Sequence, residues 1–276
     1  MTALVLFGLV FAAALAFAVL PLPGMLPILM YHFIGTEEDA AREKNFVTLE
    51  SFKRQIEFLH RFGYRVISLD DYYEILTGRR KPRGREILLT FDDGNDSFLR
   101  DAFPVLARYE YPVALFLVSE SMKKGINTAM PIKDIKQLMA YPWITVAAHT
   151  RTHPTLTALS ETRMEDEIAG SKKDLEAMLG IPIHYFAYPY GEFDERVIEV
   201  TKKAGYRLAF TTSYKKFKTV QDGPYAVTRN KISRTSDNLL VFWFKLSGLY
   251  RIYKKQRRKF LLQTAPLQLS APATSP

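Results

Sequence analysis

Short apolar runs alternate with segments of helical periodicity through the middle of the chain, and this alternation constrains the fold more than any other feature. It is typical of βα units, in which parallel strands form a sheet or barrel and helices cover it. The predicted strands are residues 27–30, 65–68, 86–91, 113–118, 145–148, 183–187, 208–212 and 226–232. We therefore predict an α/β fold whose parallel strands form either a sheet or a barrel.

Three helices have clear boundaries in the sequence. The first has apolar residues at helical spacing after Thr48, a residue type that caps helix N-termini, and the others cover residues 161–179 and 194–204. A glycine follows each helix where a left-handed turn is expected: Gly63, Gly180 and Gly205. No internal repeat or interdomain linker is visible, so residues 25–237 are predicted to form one catalytic domain.

The N-terminal end of the chain is uncharged and apolar. The first 36 residues contain no Asp, Glu, Lys or Arg, and residues 3–20 form an unbroken apolar run. Because such a run is about long enough to span a bilayer, we interpret residues 1–24 as a hydrophobic helix, either a transmembrane anchor or a signal segment. The predicted location is the cell envelope, membrane-anchored with the catalytic domain outside the cytoplasm, or secreted if the segment is cleaved.

The positive charge is concentrated at the C-terminal end. The formal net charge is +9, but residues 238–276 contain seven Lys and Arg and no Asp or Glu, which leaves +2 for the rest of the chain. Nucleic-acid binding is disfavoured because the basic residues are not spread over a folded face. Residues 238–276 are predicted to be a basic amphipathic and disordered tail. Its apolar start, 239–244, is either an interfacial membrane helix or a last helix packed on the domain.

Two adjacent carboxylates follow a predicted buried strand. Residues 86–91 run directly into Asp92 and Asp93, and the carboxyl ends of the strands form the active-site face of a parallel barrel. Neighbouring residues that leave a strand point in different directions, so one carboxylate can bind a metal while the other acts as a base. Taken alone, the motif is also compatible with a simple turn.

Two histidines follow another predicted strand. His149 and His153 come directly after residues 145–148 and can chelate one cation. Together with a strand-end aspartate they make a two-histidine, one-carboxylate set with open coordination positions, which is typical of a catalytic metal that activates water. The chain contains no cysteine, which excludes a Cys-ligated site and a thiolate nucleophile.

Three runs of residues resemble a known family. The runs 90–94 (TFDDG), 149–154 (HTRTHP) and 189–191 (PYG), in that order, are similar to the first three motifs of the polysaccharide deacetylase family, carbohydrate esterase family 4. The resemblance spans about residues 26–238. It implies an α/β fold, a distorted barrel of seven or eight βα units, that hydrolyses the N-acetyl group of a sugar with the help of a metal.

The resemblance also implies roles for individual residues. Asp93, His149 and His153 would bind the metal, Zn²⁺ or another divalent transition metal, which would polarise the acetyl carbonyl and hold the attacking water. Asp92 would be the general base. The backbone N–H of Tyr190 would help to stabilise the oxyanion.

Two positions depart from the family pattern. Many members have an arginine that orients the base two residues before the proline of the third motif; here Ala187 occupies that position, and Arg229 and Arg234 are candidates to replace it. The late histidine that supplies the general acid is also missing, because no histidine follows His184. Both departures resemble the biofilm poly-N-acetylglucosamine deacetylases, whose acid comes from the N-terminal end. His32 is then the predicted acid, with a purely structural histidine as the alternative.

These features predict a monomeric, metal-dependent carbohydrate N-deacetylase, a hydrolase of carbon–nitrogen bonds that acts on a GlcNAc-type polysaccharide. Its partners would be the acetylated glycan and the membrane, reached through the N-terminal segment and also through the basic C-terminal segment if that segment is interfacial. Two alternatives remain: a deacetylase of a lipid-linked amino sugar, and a catalytically silent carbohydrate-binding relative. The silent relative is disfavoured because the base and all three ligands are present.

Overall fold

The computed structural model of the protein describes residues 26–39, 45–125, 128–212, 223–250, 252–254 and 256–257. The predicted hydrophobic helix of residues 1–24 and the end of the basic tail lie outside the described residues. Within the described ranges, no helix combines the length and the hydropathy that crossing a membrane requires.

Parallel strands form the centre of the structure, as the alternation in the sequence predicts. The described strands are β1 (Ile28–Tyr31), β2 (Phe33–Gly35), β3 (Phe46–Thr48), β4 (Arg65–Val66), β5 (Glu86–Phe91), β6 (Val113–Leu117), β7 (Ile144–Ala148), β8 (Tyr185–Ala187), β9 (Leu208–Thr211), β10 (Val227–Thr228) and β11 (Asn230–Lys231). Eight of them form a nearly closed barrel in the order β10, β9, β8, β7, β6, β5, β1, β11, and β4 pairs with the start of β5. The predicted distorted barrel is confirmed.

The last strand of the barrel changes its partner at Arg229. On one side of this residue β10 pairs with β9, and on the other side β11 pairs with β1. The segment predicted as one strand over residues 226–232 therefore joins the two edges of the sheet and is interrupted where it crosses between them.

Alternate residues of the strands point into the barrel. The apolar interior cluster includes Leu88 of β5 and Val227 of β10, together with Ala187 of β8. Because side chains along a strand alternate with a period of two, the next inward positions after Leu88 are Thr90 and Asp92, and the next inward position after Val227 is Arg229. The mouth of an apolar barrel is thus lined by a carboxylate and a guanidinium.

The helices pack around the barrel. Their bounds are α1 (Leu49–Arg61), α2 (Leu69–Leu76), α3 (Phe103–Ala107), α4 (Ser119–Lys124), α5 (Ile132–Leu138), α6 (Glu161–Leu179), α7 (Glu195–Lys203) and α8 (Leu239–Leu246), with a π-helical turn (Phe98–Ala102) before α3. The predicted N-cap is confirmed, since the Thr48 hydroxyl accepts a hydrogen bond from the Ser51 N–H at 3.0 Å. The three glycines after α1, α6 and α7 have positive φ as predicted: Gly63 (65°), Gly180 (73°) and Gly205 (77°).

Two elements near the ends of the described chain complete the fold. β2 and β3, which the sequence pattern does not predict, form a small parallel sheet that leads from β1 into α1. α8 lies against α1, where the rings of Phe242 and Phe58 meet edge to face at 5.9 Å. On another side of α8, Leu240 is 74% exposed and Val241 is 37% exposed.

Candidate metal and catalytic site

The structure brings the three predicted metal ligands together at the carboxyl end of the barrel strands. Asp93 follows β5, and both histidines follow β7. The Nε2 atoms of His149 and His153 are 3.2 Å apart, and Oδ1 of Asp93 lies 3.6 Å from each of them. Around a tetrahedral zinc ion with bonds of about 2.0–2.1 Å, ligand atoms lie about 3.3–3.4 Å apart. The spacing and the nitrogen and oxygen chemistry of this set therefore fit a transition metal.

Both histidines are held in the neutral form that a metal requires. Burial lowers the pKa of His149 to about 3, and burial also lowers the pKa of His153. Nδ1 of His149 lies 2.7 Å from the carbonyl oxygen of Ala187. Because a carbonyl only accepts hydrogen bonds, Nδ1 carries the proton and Nε2 keeps its lone pair for the ligand set.

The backbone of the site adopts conformations that side-chain-bearing residues rarely adopt. Five described non-glycine residues have positive φ, and four of them belong to the predicted motifs: Asp93 (71°), Thr150 (68°), His153 (62°) and Tyr190 (58°). Left-handed backbone costs roughly 1–2 kcal/mol per residue. Such strain persists only where surrounding contacts hold it, and it concentrates at functional sites.

Arg229 pairs with the predicted base, Asp92. Its two terminal nitrogens donate to the two carboxylate oxygens at 2.6 and 2.7 Å, and both side chains are buried. Burial acts to raise the pKa of Asp92, but the surrounding charges, that of Arg229 first among them, and the hydrogen bonds from Arg229 together outweigh burial and keep this pKa below its ordinary value. Asp92 is therefore ionised and fixed in orientation.

The two candidate arginines of the sequence are thus separated by the structure. Arg229 occupies the inward position of the last barrel strand and also donates to the Thr90 hydroxyl at 3.2 Å. Arg234 lies at the surface, where it pairs with Glu37 at 2.9 Å. Ala187 stands where many family members have an arginine, and here Arg229 contacts Asp92 instead.

His32 lies beside Asp92 at the ends of neighbouring strands. β1 and β5 are in register at Tyr31 and Phe91, and the Asp92 N–H donates to the carbonyl of Tyr31 at 3.0 Å. Burial lowers the pKa of His32 to about 4, against the opposite influence of Asp92. Among the described residues, no group hydrogen-bonds to the buried Nδ1 of His32.

Tyr190 borders the ligand set on its open side. It lies in the turn Pro189–Gly191 directly after β8, as predicted, and its ring meets the ring of His153 edge to face at 4.8 Å. The side chain is 63% exposed. An exposed aromatic ring beside the ligands offers an apolar surface at the entrance of the site.

One group of functional contacts was missed in the sequence. Acidic residues of α6 hydrogen-bond to the loop that carries both histidines, and Glu167 is among them. The signal that could have found Glu167 is its position on an apolar face of the helix, beside Ile168 and one turn after Met164.

Comparison with known proteins places the chain in a family. A family model for polysaccharide deacetylases matches residues 79–209. YxkH of Bacillus subtilis, which carries a polysaccharide deacetylase name, is 30% identical over 211 residues, which are 76% of this chain and 72% of YxkH. The chain belongs to the polysaccharide deacetylase family. The chain is also similar to the poly-β-1,6-N-acetyl-D-glucosamine N-deacetylase of Staphylococcus epidermidis, to which it is 25% identical over 222 residues, 76% of each chain.

A longer relative and a solved structure are also similar to the chain. The Escherichia coli poly-β-1,6-N-acetyl-D-glucosamine N-deacetylase is 23% identical, and the match covers 32% of its length. The deacetylase PplD of Streptococcus pyogenes, solved in complex with acetate, has a TM-score of 0.71 and 25% identity, with 80% of this chain and 98% of PplD covered. This polysaccharide deacetylase is thus a carbohydrate-acting hydrolase with the barrel of its relatives. Enzymes of this family are metal-dependent, and the aspartate and two histidines form a site of suitable chemistry.

Proposed function

We propose that the protein removes N-acetyl groups from an amino-sugar polysaccharide of the GlcNAc type by metal-dependent hydrolysis. The observation that carries the proposal is the convergence of Asp93, His149 and His153 beside the buried, ion-paired Asp92. Two observations support the substrate class. The S. epidermidis relative is named for a GlcNAc polymer, and the exposed Tyr190 ring offers a surface against which a sugar ring can pack.

Asp93, His149 and His153 would hold Zn²⁺ or another divalent transition metal. An ion bound there supplies Lewis-acid polarisation of the acetyl carbonyl and lowers the pKa of water. Three protein ligands leave coordination positions open, which distinguishes a catalytic set from a closed structural one.

Asp92 would remove the proton of the attacking water. Its Oδ2 lies 3.9 Å from Nε2 of His149, so the base stands next to the ligand set. Arg229 binds both carboxylate oxygens, and each oxygen keeps a further lone pair that can accept a proton. The arginine therefore sets the direction in which the base acts.

His32 and Tyr190 would serve the later part of the reaction. His32 would protonate the departing amine. Because His32 is neutral in the free enzyme, it would first have to receive the proton that the attacking water releases. It lies beside Asp92, the residue that would remove this proton from water. The backbone N–H of Tyr190 would donate to the oxyanion of the tetrahedral intermediate.

Acetate release from a panel of N-acetylated glycans and glycolipids, with chelation and metal add-back, tests the proposal. We expect release from a GlcNAc polymer that chelation abolishes and added metal restores. Activity that survives exhaustive chelation would contradict the metal-dependent mechanism. Release from glycolipids alone would favour a lipid-linked amino sugar, and no release from any acetylated sugar would favour a silent carbohydrate-binding protein.

The Asp92→Asn variant separates the base from the ligands. We expect it to bind metal as the unchanged protein does and to lose turnover, because the amide cannot accept the proton of water. Loss of the metal in this variant would instead assign Asp92 to the ligand set.

We also propose that the protein acts at the cell envelope, tethered through residues 1–24 with the barrel outside the cytoplasm. The apolar run 3–20 supports the tether. α8 and the following residues would add a second membrane contact, since exposed Leu240 and Tyr253 precede a basic cluster and no acidic residue follows Asp237. Protease treatment of intact cells checks the location, and a catalytic domain recovered in the cytosol would contradict it.

A further inference from the structure

The loop that carries both histidines is anchored by a buried carboxylate that the proposed chemistry does not use. Glu167 of α6 is 2% exposed. Its Oε2 accepts hydrogen bonds from the backbone N–H groups of Arg151 and Thr152, both at 2.9 Å, and its Oε1 accepts from the Thr152 hydroxyl at 2.6 Å. One carboxylate therefore binds two consecutive main-chain amides that lie between His149 and His153.

The side chain of Arg151 ties the same loop to α6 a second time. Its Nε and one terminal nitrogen donate to the two oxygens of Asp174 at 2.8 and 3.1 Å, and the other terminal nitrogen donates to Asp166 at 2.6 Å. Gly170 leaves room for this side chain, since a Cβ at that position would lie 2.7 Å from Nε of Arg151.

The loop needs such anchors because its backbone is strained. Thr150 and His153 both have left-handed backbone, with φ of 68° and 62°, a conformation that is unfavourable for residues with a side chain. A hydrogen bond within the loop, from the His153 N–H to the Thr150 hydroxyl at 2.9 Å, joins the two strained residues. Relaxation of so short a segment would move His153 relative to His149, which is fixed at the end of β7.

We propose that Glu167 is a positioning residue of the metal site. It holds the strained loop after β7 in the conformation in which His153 shares one ion with His149 and Asp93. Arg151 supports it by docking on α6 across Gly170. The inference rests on the proposed function in one respect, that these three ligands bind a metal.

The Glu167→Gln variant tests the proposal with little change of shape. Glutamine has one acceptor oxygen and no charge, so it cannot bind both amides and the hydroxyl as the carboxylate does. Loss of contacts that orient metal ligands lowers metal affinity by about 10–100-fold. We expect a loss of this size for Zn²⁺, measured by calorimetric titration of the metal-free full-length protein, and an altered Co²⁺ absorption spectrum.

Gly170→Ala is a second variant that leaves Glu167 in place. Its new Cβ displaces the Arg151 side chain, while alanine favours a helix more than glycine does. We expect weaker Zn²⁺ binding without loss of helix content. Glu165→Gln, at an exposed position of the same helix, is the matched control and is expected to bind Zn²⁺ as the unchanged protein does.

The outcomes separate the positioning role from the alternatives. Unchanged Zn²⁺ affinity in both Glu167→Gln and Gly170→Ala would overturn the proposal, as would a fall in the unfolding midpoint of the metal-free variants with affinity unaltered, because that result describes a structural residue. If the unchanged protein binds no divalent metal, the proposed function fails, and the inference fails with it.

Discussion

The pairing of Arg229 with Asp92 is the residue-level contact that fixes the orientation of the proposed base. Both side chains lie in the apolar mouth of the barrel, where an unpaired charge is costly. The bidentate contact compensates both charges and fixes the plane of the carboxylate. Lysine would supply the positive charge but not two parallel N–H donors for the two carboxylate oxygens, so the position favours arginine.

Arg229→Met is expected to destabilise the protein by about 3–5 kcal/mol, because it leaves the Asp92 carboxylate buried and uncompensated. Turnover should fall as well, since the base is no longer oriented. Urea denaturation followed by circular dichroism measures the first effect and acetate release measures the second.

Two comparisons control the Arg229 experiment. The double variant Arg229→Met, Asp92→Asn should recover much of the lost stability, because it removes the unpaired charge. Arg234→Met, which breaks the surface pair with Glu37, should change stability by less than about 1 kcal/mol. Equal losses for the two single variants would contradict the buried ion pair as the cause.

The sequence predicts the metal ligands and the neighbouring Asp92, but it does not single out the residue that pairs with Asp92. The reason is separation along the chain. Asp92 and Asp93 are adjacent and the histidines are four residues apart, so local spacing places each pair. Arg229 contacts Asp92 across 137 residues. No local pattern distinguishes it from Arg234; the decision comes from the alternation of the last strand, which turns Arg229 inward.

At the level of elements, the strands and helices with long periodic patterns were predicted best. β5 and α6 have the predicted bounds, because a short, mostly apolar run and an amphipathic helix that ends at a glycine are self-contained signals. β2 and β3 are three residues each and acquire strand geometry only by pairing with each other. The split between β10 and β11 likewise follows from which neighbours the segment meets.

The turn after β5 provides a prediction at the same scale. Gly94 has φ of 66°, and a Cβ there would lie 2.8 Å from Leu117 Cδ2 and 3.0 Å from Met122 Cε. Gly94→Ala is therefore expected to destabilise the protein by about 2–3 kcal/mol, from left-handed strain together with overpacking. Equilibrium denaturation measures the change.

Gly78→Ala is the matched control for Gly94→Ala. Gly78 also has positive φ, 77°, but no neighbouring group among the described residues lies within 4 Å of its added Cβ. Only the backbone strain remains, and we expect a loss of about 1–2 kcal/mol. Equal losses at the two glycines would show that packing beneath the Asp92-Asp93-Gly94 turn contributes nothing.

At the level of the whole molecule, the orientation of the barrel bears on the choice of substrate. The ligand set lies at the carboxyl ends of the strands, whereas residues 26 and 27 enter β1 at its amino end. If residues 1–24 are the tether, as proposed, the site would open at the end of the barrel opposite to residue 26. Under that proposal, a polymer that extends from the membrane would reach the site more easily than a sugar held in the lipid.

The candidate metal site also connects distant parts of the chain, because Asp93 and the histidines follow different strands, β5 and β7. A ligand that binds the folded state stabilises it by about 2.7 kcal/mol at one hundred times its Kd. For a domain of this size, 1 kcal/mol shifts the unfolding midpoint by about 2–4 °C. We expect Zn²⁺ added to metal-free protein to raise Tm by roughly 5–10 °C.

His153→Ala should abolish the rise, whereas His60→Gln, on the exposed side of α1, should leave it intact. A rise that persists in His153→Ala would mean that the stabilising ion binds elsewhere.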